Sequence, residues 1–188
     1  MSTQPPTPST SNDKPDPQRG DDAYLVKYLV MSSLCLFIGT VHGVLQVIRP
    51  IRAWLDSIGS PYGGPGHLID PLAHAHINVV GGVVVFLMGA SYYLLPRMAG
   101  VRLYSQRLVH HSFWWTSIGI AGFYSTLMTF GILEGRALLQ DANLVDGIHR
   151  FYGPTIATVS TIMGIGFWVY FANIFLTFRK MRRERPES

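Results

Sequence analysis

Residues 71–96 read PLAHAHINVVGGVVVFLMGASYYLLP, an apolar run with a His-x-His pair, His74 and His76, and an asparagine, Asn78, in its opening turns. A hydrocarbon core about 30 Å thick is crossed by about 20 helical residues, so this stretch is long enough to span a bilayer. An uncompensated polar group inside that core costs several kcal/mol. Ionisable residues at such depth therefore point to function by default.

Three further apolar blocks flank this one. In a chain of 188 residues, 48% hydrophobic and 14% charged, the blocks run at about 24–48, 71–95, 108–133 and 151–178. The pattern predicts an all-α membrane protein, four transmembrane helices in an up-down bundle occupying residues 23–180. Residues 1–22, rich in Pro, Ser, Thr and Asp, contain no apolar run and read as a disordered tail rather than a signal peptide. Residues 181–188 read as a basic C-terminal tail. The single Cys35 lies inside the first block, where a thiol is a small packing residue.

The formal charge of +4 sorts by loop, which ties it to topology and not to nucleic acid. Arg97, Arg102 and Arg107 fill the second connection, and Arg179, Lys180, Arg182, Arg183 and Arg185 follow the last block. The other two connections mix Arg49, Arg52, Arg136 and Arg150 with Asp56, Asp70, Glu134, Asp141 and Asp146. Lys and Arg accumulate on the cytoplasmic side, so both termini are expected there.

With that topology the first helix runs outward and the second inward. At 1.5 Å per residue His42 lies about 9 Å below the outer boundary, with His74 and His76 about 5 and 8 Å down. His149 stands at the outer mouth of the fourth helix. His67 falls in a Gly/Pro-rich connection and is expected to be a solvated loop residue, while His110 and His111 open the third helix at the opposite face. Four imidazoles near one face, without acidic partners at that depth, suit iron better than a hard cation, which prefers carboxylates. Haem also needs closely approached apolar walls. Asn78, Gly81, Gly82, Val85 and Gly89 share the His74 face, where small residues serve a macrocycle or a neighbouring helix equally well. His76 lies about 200° around the helix from His74, so the two face different pockets, or one binds while the other hydrogen-bonds.

The run HAHINVVGGVVVFLMGASYYLLP resembles the His-x-His helix of subunit I of the haem-copper oxidases, above all the cbb-type cytochrome oxidases and bacterial nitric oxide reductases. The likeness continues through LYSQRLVHHSFWW and GILEGR, and GTVHGVLQVIRPIRAWL resembles the helix and loop leading into the pair. It covers residues 24–179 and makes the chain similar to the last four helices of that subunit. The resemblance implies that His74 is the axial ligand of a high-spin haem and His76 that of a low-spin haem. The family's copper ligands, and its partner histidine for the low-spin haem, come from other helices, so no copper is expected. Ser112 stands where the family has a histidine, and His42 where a glutamine is expected, which makes His42 the replacement ligand and His149 the reserve.

The resulting expectation is a protein or subunit of the bacterial cytoplasmic (inner) membrane that carries one or two haems b, with electrons from a donor such as cytochrome c or quinol. The candidate site residues are His76, His74, His42, His149, Asn78, Gly81 and Gly82, with His76, His42 and His74 on iron. Bis-histidine ligation by His76 with His42 suits one-electron transfer; an open iron face at His74 would instead bind oxygen or nitric oxide. A cofactor-free accessory or assembly subunit is the non-redox alternative, and a quinone-linked component using Glu134 or Arg150 at the outer rim is another. Partners would be the bilayer and either a second copy or the subunits of a respiratory complex. Tyr92, Tyr93, Trp114 and Trp115, with Trp54 and Tyr152 opposite, read as interfacial belts; Phe123, Tyr124 and Phe130 read as bundle core.

Overall fold

The structure is a computed structural model and describes residues 22–184. The tail expected over residues 1–22 lies outside the described residues except for Asp22, as do residues 185–188 of the C-terminal tail. Four helices are long and apolar enough to cross a membrane: Ala23–Val47, Gly64–Ala99, Gln106–Gln140 and Asn143–Glu184, here spans 1 to 4. No strand occurs among the described residues. The chain is an all-helical, multi-pass membrane protein. Span 3 continues to Gln140, beyond the apolar block ending near Leu133, because a helix propagates through polar flanks once its hydrogen-bond ladder is established.

Successive spans run antiparallel. As numbers rise on span 1 through Cys35, Gly39 and Gly43, the residues they meet on span 2 fall through Gly81, Asn78 and His74. Ser112 of span 3 meets Tyr92 of span 2, and Gly131 meets Ile69. Spans 3 and 4 approach most closely, with Gly119 against the backbone of Met163 and Gly166 against that of Thr116. Small residues permit this separation, and within a bilayer such packing is what holds helices together.

Polar knots fix the end of the bundle opposite the His-x-His pair. Tyr28 donates to the Val109 carbonyl at 2.8 Å, and both Tyr28 and Tyr92 hydrogen-bond Ser112 Oγ, at 2.9 and 3.0 Å. Tyr92 is thus a buried core residue and not part of a belt, whereas Tyr93, Trp114 and Trp115 are exposed as a belt requires. Asn173 of span 4 accepts from Ser105 N–H at 3.2 Å and donates to the Ser105 carbonyl at 3.0 Å, anchoring the start of span 3. Span 2 ends where Gly100 turns left-handed at φ 67°, a conformation glycine adopts without strain.

Span 2 is not a uniform α-helix. Its path breaks at Asp70 (φ −131°, ψ 112°), since a residue before proline is pushed out of the α region. A single α-helical turn, His74–His76, then sits between two π-helical stretches, Leu68–Ala73 and Ile77–Val84. π-helical turns are rare and concentrate at functional sites. Arg52 on the connecting helix Arg49–Ser57 secures the break, reaching Asp70 at 2.6 Å, Asp56 at 2.7 Å and Ser60 at 2.8 Å. The two carboxylates, Asp70 foremost, hold its guanidinium above the usual arginine range.

Candidate functional site

The antiparallel register of spans 1 and 2 brings His42 to the level of the His-x-His turn. Its ring meets that of His74 edge to face, with centroids 5.5 Å apart and planes at 88°. Gly43 makes this possible, since a Cβ there would stand 2.8 Å from His74 Cε1. His42 is buried at 6% exposure, and both its nitrogens are engaged. The Gln46 amide donates to Nε2 at 3.0 Å, so the proton lies on Nδ1, which faces the Tyr124 hydroxyl at 3.2 Å. His74 differs: its buried Nδ1 has no hydrogen-bond partner, and leaving such an atom unsatisfied costs ~1–3 kcal/mol.

His76 turns away from this pair toward span 3. Its Nδ1–H donates to the Leu72 carbonyl at 2.8 Å, which fixes the tautomer and leaves the Nε2 lone pair available. Imidazoles that ligate metals are commonly oriented in this way through the other ring nitrogen. The ring lies 4.7 Å from that of Phe123, tilted by 36°. His76, Ile77, Val80, Ile120, Phe123, Tyr124 and Met163 surround a gap of about 190 Å³, none of it wide enough for a water molecule. His42 and His74 thus meet on one face of span 2 and His76 looks out from another, and Tyr124 touches both, its hydroxyl at His42 and the residue itself lining the gap.

The remaining candidates meet neighbours within the protein. Asn78 donates to the His74 carbonyl at 2.9 Å and fills the space left by Gly39. A Cβ on Gly81 would stand 2.7 Å from Cys35 Sγ, and one on Gly82 would stand 2.5 Å from Leu36. These glycines therefore admit span 1. His149 lies in a separate cluster at the Gln140 end of span 3, 3.0 Å from Glu134 and stacked 5.4 Å from Tyr152. Glu134 is 3% exposed, so the carboxylate expected at a rim is buried. His67 is not a solvated loop residue either, being half-buried and 2.5 Å from the Pro61 carbonyl. His110 pairs with Lys27 at 2.8 Å, and His111 is exposed.

Sequence reasoning passed over Gln46 and underrated Tyr124. A glutamine one helical turn beyond a membrane histidine was a usable signal for the first. Nothing local identifies the second, whose role arises from packing across three spans.

Residues 71–152 match the family of cytochrome c and quinol oxidase polypeptide I. The chain is 37% identical over 153 residues to cytochrome c oxidase subunit 1 of Rhodobacter capsulatus, covering 70% of this chain and 29% of that protein. It is 26% identical over 125 residues to the cbb3-type cytochrome c oxidase subunit CcoN1 of Stutzerimonas stutzeri, covering 64% and 24%. The chain thus spans less than a third of the length of either relative. No solved structure matches it. The His-x-His turn falls within the matched stretch, and by this likeness the chain is a haem-copper oxidase subunit I-like protein, related over part of its length.

Proposed function

We propose that this chain holds haem b on His76 and works as an electron-transfer subunit in a bacterial cytoplasmic membrane, with its termini on the cytoplasmic side. The observation that carries this reading is the state of His76, whose Nδ1–H is committed to Leu72 while Nε2 makes no hydrogen bond to another described residue and borders an apolar, aromatic gap. The donors suit an imidazole-ligated iron, and the unpartnered His74 Nδ1 adds a second free nitrogen in the same helical turn. When bound, the haem supplies one-electron redox chemistry.

The chain's own residues would then hold, orient and dry the site. Leu72 keeps the His76 ring from turning, while Ile77, Val80, Ile120 and Met163 exclude water. His74, with its unpartnered Nδ1, and His149, held by Glu134, are the other imidazoles on offer, whereas both nitrogens of His42 are spent on Gln46 and Tyr124. The gap has no room even for a water molecule, whereas cofactor-sized clefts have ~300–1,000 Å³. Uptake of haem therefore has to part Phe123 and Met163 from His76.

The closed gap, with Gly81 and Gly82 occupied by span 1, favours a second reading, a cofactor-free accessory subunit of a respiratory oxidase. Substitution separates the two. In protein purified from haem-supplemented cells, His76→Ala is expected to lose the low-spin b-type signal while His111→Ala keeps it. An unaltered spectrum in His76→Ala would overturn the assignment.

A further inference from the structure

A second hollow, away from the histidines, has a wholly different lining. It is an apolar groove of about 470 Å³ between the Gly100 end of span 2 and the Glu184 end of span 4, floored by Ala90, Ser91 and Leu94 on one side and Ile174, Phe178 and Met181 on the other. Its volume falls within the ~300–1,000 Å³ of small-molecule clefts. Ser91, which supplies a polar atom, spends its hydroxyl on the Leu87 carbonyl at 2.7 Å. The floor thus offers little to a polar ring and suits a hydrocarbon chain.

The rim is cationic. Ile174, Phe178 and Arg182 follow at intervals of four on span 4, so Arg182 continues the groove's own stripe one turn past its apolar part. Arg179, Arg183 and, in the span 2–3 connection, Arg102 lie at the same end; all four arginines are exposed. The acidic residue closest in sequence on span 4, Glu184, lies 3.8 Å from Lys180. Arg179, Arg182 and Arg183 make no hydrogen bond or ion pair with another described residue. An apolar channel between membrane helices that opens on unpaired arginines matches the two halves of one molecule, an acyl chain and an anionic headgroup.

We infer that this groove is a binding site for an anionic phospholipid, one acyl chain lying between spans 2 and 4 and the phosphate meeting the arginines of the span 4 end. The site is independent of the His76 reading.

The full chain in detergent is titrated with dioleoylphosphatidylglycerol and, separately, dioleoylphosphatidylcholine, and bound lipid is counted by native mass spectrometry. Phosphatidylglycerol is expected to bind at least ~10-fold more tightly, about 1.4 kcal/mol. Arg182→Glu/Arg183→Glu is expected to erase that preference, and Ala90→Phe, which fills the groove, to lower occupancy by both lipids. Equal binding of the two lipids by the unmodified chain would overturn the proposal. So would unchanged lipid occupancy in Ala90→Phe, whether alone or with a shift from dimer to monomer that reveals a second copy in the groove. If the double arginine variant fails to fold, the unmodified chain and Ala90→Phe decide the question without it.

Discussion

The rings of His42 and His74 meet edge to face at 5.5 Å across spans 1 and 2, yet they differ in what they can do. His42 has both nitrogens engaged by Gln46 and Tyr124, whereas His74 keeps a buried Nδ1 without a partner. Neighbouring imidazoles at one depth are thus divided into a structural one and an available one. Tyr124→Phe removes the hydroxyl at His42 Nδ1 and is expected to destabilise the protein by ~1–3 kcal/mol. If haem is bound through His76, the same change should shift its absorption maxima without removing it, because the Tyr124 ring still borders the gap. Unchanged absorption maxima in haem-loaded Tyr124→Phe would show that the hydroxyl does not act on the haem site.

Close approach of spans 1 and 2 depends on Gly81. A methyl group there would stand 2.7 Å from Cys35 Sγ and 2.8 Å from its Cβ, and overpacking of this kind costs ~1–3 kcal/mol. Gly81→Ala should lower the thermal midpoint in detergent, while Gly147→Ala, with open space around it, should leave it unchanged or raise it. Equal midpoints for the two would refute the packing role.

Asn173 is buried at 0% exposure and satisfies both backbone groups of Ser105. Asn173→Leu strands that N–H and that carbonyl, at about 2 kcal/mol or more in total. Faster hydrogen exchange at Ser105 and faster proteolysis of the 100–105 connection are expected. Unchanged exchange there would show that Ser105 is held by something other than Asn173.

Glu134 is buried and His149 is its partner at 3.0 Å. Removing one member of such a pair leaves a buried group uncompensated, so His149→Ala should destabilise more than His149→Ala with Glu134→Gln. His149 is itself 57% exposed, which holds the expected difference to about 1 kcal/mol. A double-mutant cycle on thermal midpoints reads it directly, and additive effects would show no coupling.

The four spans were legible because each is an apolar block of bilayer length, and rise per residue along antiparallel helices brought His42 near the His-x-His turn, but it matched His42 to His76, whereas the structure sets it against His74. The separate faces of His74 and His76 followed from their offset around the helix. The π-helical stretches on either side of that turn were not legible, since hydropathy does not distinguish an i→i+5 ladder from an i→i+4 one. The use made of Gly81 and Gly82 was left open by a pattern that fits a macrocycle and a helix equally. In the structure Cys35 and Leu36, residues on another span, lie against them. Tyr92 and Glu134 were misjudged for a related reason. Their position near the end of a span suggested an interface, while partners distant in sequence, Ser112 and His149, draw them inside.

The most direct test of the account is a reduced-minus-oxidised absorption spectrum with pyridine haemochrome quantification on the purified full chain, expressed with haem supplementation. The account predicts a sharp b-type signal at about one haem per chain. A colourless protein, folded by circular dichroism, would contradict it and leave the cofactor-free subunit as the reading to pursue.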